Sequence, residues 1–206
     1  MFAVVESGSI TSMPNGNKGI TIGDNQYPAS IYTLWSESER NAIGIYTIEI
    51  DETNKKDNEW YINTNITYAY DSSANKVKGT YGTATAKAHA DTTYTNTDKS
   101  NGDIPTGKDV GDVKDEGLKT ILIRQVKQEA EKILNETDWY VTRKSEKSTA
   151  IPSTITTHRD AVRTKQAEME TAITNAADTP ALEPLYTYTV TDGVQSRPLG
   201  DLPSLT

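Results

Sequence analysis

Between Ala90 and Gly111 the chain offers only Ile104 and Val110 as aliphatic side chains of any size, and Thr, Asn, Asp and Gly dominate the rest. Such a stretch cannot bury enough apolar area to offset the entropy lost on ordering it. No single hydrophobic core can therefore run through the whole chain. The hydrophobic pattern also changes period across this segment, from two before it to about 3.6 after it. The expectation is an α+β fold in four parts. A β-rich N-terminal domain covers 1–88, a polar extended arm or linker covers 89–116, a two-helix hairpin covers 117–178, and an extended, strand-like tail covers 179–206. If ordered, an arm of this composition is expected to lean on another chain.

In the first part, Phe2–Glu6 reads as a short apolar strand, and Asn15-Gly16 supplies turn chemistry. Gly19–Gly23 is a second short alternating segment. Ala42–Glu49 and Glu59–Tyr70 are rich in Ile, Tyr and Thr with period-two alternation, and the polar run Asp51–Asn58 lies between them. That pattern predicts one hairpin. In the second of these strands Trp60, Ile62, Thr64, Ile66, Tyr68 and Tyr70 share the more apolar face. A short helix over Ser30–Arg40, a glycine stop at Gly44 and a following strand place Trp35 in the core.

After the arm, Leu118, Ile121, Leu122, Val126, Ala130, Ile133 and Leu134 recur at helical spacing, predicting a helix over 117–136. Asn135–Thr149 reads as a connection. A second helix is expected over Ser153–Ala177, capped by Ser153 or Thr154, with a narrow stripe of Ile155, Val162, Met169, Ile173 and Ala176. Two such stripes bury each other most simply as a helical hairpin. Leu185–Val190 alternates like a strand, Asp192-Gly193 is a turn, and Pro198 and Pro203 interrupt the remaining C-terminal residues.

Hydrophobic residues make up 34% and aromatics 7%, and the aromatics are 11 Tyr and 3 Trp with a single Phe. A core that small per residue predicts that stability is borrowed from neighbours, with tyrosines at interfaces. The net charge of −8 argues against wrapping nucleic acid. The absence of Cys removes disulfide frameworks, thiolate metal sites and thiol nucleophiles. The start has no basic n-region and no stretch reaches the length of a bilayer span, so the expectation is a soluble protein made in a cytoplasm, with no membrane partner.

Few residues stand in patterns that carry chemistry. The two histidines, His89 and His158, stand in no metal- or protease-type motif, and a packing or surface imidazole is the expected role of each. The acids Asp51/Glu52, Asp109/Asp112/Asp115/Glu116 and Glu168/Glu170 fall in turns and on solvated helical faces. The second group lacks the ligand spacing of a calcium loop. No nucleophile elbow and no phosphate loop occurs. Neither a catalytic residue, a cofactor site nor a metal site is expected. The most distinctive cluster is Thr137-Asp138-Trp139-Tyr140-Val141-Thr142-Arg143. Its Trp, Tyr and Arg either anchor an interface or place Trp139 as a plug in the open end of the hairpin.

Two runs carry a family resemblance. Tyr27-Pro28, Trp35, Glu39-Arg40 and Ile43-Gly44-Ile45 resemble the N-terminal part of tail-fibre-associated and tail-assembly proteins of tailed bacteriophages. Gly117-Leu118-Lys119 through Ile133-Leu134, then Thr137-Asp138-Trp139, Ile151-Pro152, Arg159 and Val162-Arg163, is similar to the phage tail assembly chaperone family. There a helix ending in Leu-Leu leads to a Ser/Thr-Asp-Trp, and a second helix carries Tyr-Arg and Leu-Arg pairs. In this chain His158 stands in place of the Tyr, and the span 46–116 has no counterpart. The resemblance covers about half the chain and implies a tail-related module with protein partners and no enzyme activity. Arg159 and Arg163 match the paired arginines and are expected to meet Asp138 or a partner's carboxylates.

Together these features favour a virion structural protein of the tail, neck, baseplate or fibre-attachment region. It is expected to be homo-oligomeric in an assembly with other phage tail proteins. The alternative is an assembly chaperone that leaves before the particle is complete, and a glycan-binding receptor module ranks below both. The candidate interface residues are Trp139, Tyr140, Arg143, Arg159, Arg163, Tyr186 and Tyr188.

Overall fold

The computed structural model describes residues 1–205. The fold is α+β, with strands concentrated in the N-terminal part and helices in the C-terminal part. The chain divides into two compact units, Met1–Thr85 and Ala86–Thr206.

The first unit is built on a five-stranded sheet. Strand β1 (Phe2–Glu6) turns through Ser7-Gly8, both at positive φ, into β2 (Ser9–Ser12). A small hairpin, β3 (Ile20–Ile22) and β4 (Asn25–Tyr27), comes next. Two short helices, α1 (Ile31–Leu34) and α2 (Glu37–Ala42), lead into β5 (Ile45–Asp51). Helix α2 starts at a reciprocal cap, in which Glu39 N–H donates to Ser36 Oγ and Ser36 N–H donates to the Glu39 carboxylate. Gly44 stops it with φ +82°, and a Cβ there would lie 2.7 Å from the Val5 carbonyl oxygen. Only glycine lets the chain pass this close to β1.

The sheet order departs from the expected hairpin. Strand β5 pairs antiparallel with β1 and parallel with β8 (Lys76–Tyr81), and β8 pairs antiparallel with β7 (Ile66–Asp71). The full order is β2-β1-β5-β8-β7, and the two edge strands, β2 and β7, curl into contact with each other. The stretch Glu59–Tyr70 is not one strand. Trp60 and Tyr61 are both buried while Ile62 is exposed, so the alternation breaks. Only Tyr61–Ile62 (β6) and β7 are extended, and β6 pairs with Thr85–Ala86 (β9). The true hairpin turn is Asp71–Asn75, where Asp71 Oδ1 accepts from the Ser73 and Ala74 amides and Asn75 takes φ +54°.

Both faces of the central strands are covered. One face gathers Ala3, Tyr46, Ile48 and Val77 with Val5, Ile10, Tyr68 and Tyr70 against them. The other gathers Val4, Ile31, Tyr32 and Ile45, packed by Phe2, Ile20, Ile22, Tyr27, Trp35 and Ile43. The expected core position of Trp35 is thus partly buried, at the rim of the second cluster.

In the second unit the polar stretch is not an extended arm. It folds as β10 (Thr92–Thr93), α3 (Asn96–Asn101) and β11 (Val113–Asp115), with β10 and β11 antiparallel. Hydrogen bonds rather than burial order it. Thr95 and Asp98 form a reciprocal cap, Tyr94 N–H donates to Asp112 O, and Gly111 N–H donates to Tyr94 O. The arm is tied to its own unit, since Gly117 N–H donates to Asp91 Oδ1 and Arg124 pairs with Glu116.

The helices are α4 (Leu118–Asn135), α5 (Asp138–Lys147), α6 (Ser153–Asn175) and α7 (Thr179–Tyr186). Leu122, Val126 and Ala130 of α4 are buried, as are Ile155, Val162, Met169 and Ile173 of α6, and the two helices pack on each other. Three local expectations fail. The connection over Asn135–Thr149 is largely helical, as α5. Pro152, not Ser153 or Thr154, holds the N-cap place of α6, with no side-chain cap. Leu185 and Tyr186 end α7 rather than start a strand, because Asp178 caps that helix by accepting from Ala181 N–H. Extended structure begins only at β12 (Thr189–Thr191), which pairs with β13 (Val194–Ser196) across Asp192-Gly193. The segments 89–116, 117–178 and 179–206 belong to one unit together with Lys87, whose carbonyl accepts from the buried Thr179 hydroxyl.

Candidate interface on the fifth helix

Helix α5 has no buried residue, and it carries the cluster singled out in the sequence. The rings of Trp139 and Tyr140 stack with centroids 3.7 Å apart and planes tilted by 31°. The Arg143 guanidinium lies 4.8 Å from the Trp139 ring and 5.2 Å from the Tyr140 ring. A cation held over two rings restricts all three side chains before any partner arrives. Trp139 is 51% exposed, so it does not plug the hairpin.

What closes that end of the hairpin is Arg159. This side chain, on α6, is buried; its Nη1 donates to Leu134 O at 2.7 Å and to Thr137 Oγ1 at 2.6 Å, and its Nη2 donates to Asp138 Oδ1 at 2.7 Å. The clamp adds a charged donor to the Leu134 carbonyl, which the Thr137 amide also reaches at 3.1 Å, and neutralises an acid in the first turn of α5. The Thr137 hydroxyl donates in turn to Leu134 O, and Thr137 is itself buried. Arg159 is thereby a positioning residue that sets how α5 leaves α4. The expected Arg159–Asp138 pair is present.

Arg163, one turn on, does something else. It is exposed, pairs with Asp160 at 3.3 Å, and lines an open cleft of about 670 Å³ with Leu134, Gln166 and Glu170. Glu170 is occupied by Gln166 at 2.8 Å and by Lys127 at 3.4 Å.

Tyr186 and Tyr188 belong to a second cluster around Arg197, whose guanidinium lies 5.2 Å and 5.1 Å from their rings. Tyr188 donates to Asp201 Oδ1 at 2.8 Å, a bond that pushes the phenol pKa up. Asp201 pairs with Arg197 at 2.9 Å, and Arg197 also donates to Gly200 O. This cluster staples the base of the β12–β13 hairpin, while Val190 and Val194 stand exposed beyond it. Sequence reasoning missed Arg197 and Asp201, and it named Thr137 without the buried place it holds. A Tyr-x-Tyr followed by Arg across a two-residue turn was a readable signal for the first.

No group of three or more His, Asp and Glu side chains among the described residues is placed to hold a metal ion. Among the same residues, no helix is long and apolar enough to cross a membrane. His158 is buried on α6 and borders an open cleft with Ser153, Thr157 and Ser204, and among the described residues no carboxylate side chain lines it. In comparisons with protein-family models, with curated proteins and with solved structures, the chain matches none.

Proposed function

We propose that this chain is a non-enzymatic structural component of a tailed-bacteriophage virion, built into the tail, neck, baseplate or fibre-attachment region by protein–protein contact. The observation that carries this reading is the exposed, pre-ordered Trp139–Tyr140–Arg143 stack on a helix with no buried residue. Large aromatic and guanidinium groups held rigid at a surface are the usual anchors of protein interfaces. The sequence resemblance to tail proteins supplies the setting, with synthesis in the host cytoplasm and the virion as destination. Peptide mass spectrometry of purified particles tests it. The chain is expected at a fixed ratio to the tail proteins, and its absence from clean particles overturns the reading.

A second reading is an assembly chaperone released before completion. It draws on the Arg159–Asp138 clamp, which joins two residues on which the chaperone resemblance rests. Under that reading the chain co-purifies with an unassembled tail protein and is missing from particles.

A further inference from the structure

The unpartnered face of α5 has a counterpart elsewhere in the same unit. At 100° per residue, Trp139, Arg143, Lys147, Tyr140 and Lys144 fall within an arc of roughly 140°. The face is aromatic and basic, with the acid Glu146 at its edge, roughly 20° beyond Trp139. Arg143, Lys144 and Lys147 take part in no ion pair among the described residues. The folded arm is the opposite. Residues 91–116 hold seven carboxylates against three lysines, a net −4 that is half the charge of the chain. Two of the three lysines, Lys99 and Lys114, are already neutralised by Asp109 and Asp98. Along Asp109-Val110-Gly111-Asp112-Val113-Lys114-Asp115, acids alternate with two exposed valines, Val110 and Val113. Each face therefore offers apolar surface together with charge, and the charges are opposite in sign.

The two faces are attached at opposite ends of α4. The arm runs into Gly117 at its N-terminus and α5 leaves its C-terminus after Thr137. Eighteen residues of helix separate the attachment points, roughly 27 Å at 1.5 Å per residue. Complementary faces at the two ends of one rigid rod serve contact between copies. We infer that this chain self-associates head to tail, the acidic Val110/Val113 arm of one copy docking on the Trp139–Lys147 face of α5 in the next. Made once between neighbours, such a contact is heterologous and builds rings or open strings; a mass that stops at two copies would mean an antiparallel two-fold pair and overturn the head-to-tail order. The inference rests on the reading of the chain as an assembly component, but it is tested on the purified chain alone.

Sedimentation of the full chain over about 1 µM to 1 mM at about 0.1 M salt reads the association directly. The average mass is expected to climb with concentration. Lys144→Glu with Lys147→Glu, and separately Asp112→Lys with Asp115→Lys, each weaken association at least ~10-fold. Mixing the two variants restores it, because each reversed face then meets a reversed partner. Trp139→Ala also weakens association and leaves the melting temperature unchanged, since the side chain lies outside the core. A chain that stays monomeric at the highest concentration overturns the inference. So do variants that associate as the wild type does, or a variant mixture that stays apart. A monomeric chain that is nonetheless present in particles sinks this contact and spares the virion reading. A self-associating chain absent from particles does the reverse.

Discussion

At the scale of single residues, two arginines one helical turn apart have unlike roles. Arg159 is buried with three acceptors, and Arg163 is exposed with one. Arg159→Ala takes the donor from the buried Thr137 hydroxyl and the cation from Asp138, at a cost of about 1–3 kcal/mol. Arg163→Ala changes stability by no more than ~0.5 kcal/mol. Urea unfolding of the two variants measures the contrast, and equal effects would refute the clamp. Tyr46 makes a contribution that depends on pH. Its hydroxyl lies 3.2 Å from that of Tyr70 and donates to Asn75 Oδ1 at 3.1 Å. The Tyr70 contact, with burial behind it, pushes the Tyr46 phenol from 10.0 up to about 12. The folded state then keeps a proton that the unfolded chain has already lost, so this contribution is complete below pH 10 and fades as pH climbs towards 12. Tyr46→Phe is expected to flatten that stretch of the stability curve, read by denaturation at stepped alkaline pH.

At the scale of elements, the sequence makes legible whatever is written in local periodicity. The α4 and α6 stripes need only three- and four-residue spacing, and Leu122, Val126, Val162, Met169 and Ile173 are buried where that spacing puts them. Ile173→Ala should cost about 2–5 kcal/mol, because a fully buried branched side chain leaves a cavity. The parallel pairing of β5 with β8 is not legible, because a non-local partner leaves no mark on either strand. Strand β8 itself is hidden because Gly79 interrupts its pattern; a Cβ there would meet Ile50, Ile66 and Tyr68 side chains at 2.8 Å. The arm departs from expectation for a different reason. Its composition excludes a core, but capping and turn bonds order it without one. Thr95→Ala removes one side of the Thr95/Asp98 cap and should cost about 1 kcal/mol. Amide exchange is expected to speed up across Asn96–Asn101 while α4 and α6 stay protected. For the candidate interface, the sequence names Trp139, Tyr140 and Arg143 but leaves open which way they face. That depends on Arg159 fixing α5, a contact between residues 21 positions apart.

At the scale of the whole molecule, two electrostatic effects of different range compete. Copies carrying −8 repel one another over the Debye length, which is about 30 Å at 0.01 M salt and about 8 Å at 0.15 M. The pairs between Lys144/Lys147 and the arm acids act at contact, where partial desolvation protects them from screening. Raising salt from a low value therefore removes the opposing term first. Near 1 M, where the Debye length is about 3 Å, the contact pairs weaken as well. Self-association should accordingly pass through a maximum at intermediate salt. Light scattering at fixed concentration across a salt series reads this as a peak in average mass. A mass that rises steadily to the highest salt would mean that Trp139, Val110 and Val113 hold the contact by apolar burial alone, and that the charges of the two faces only tolerate each other. In the Lys144→Glu/Lys147→Glu variant the peak should vanish, because both the long-range and the contact terms are then repulsive.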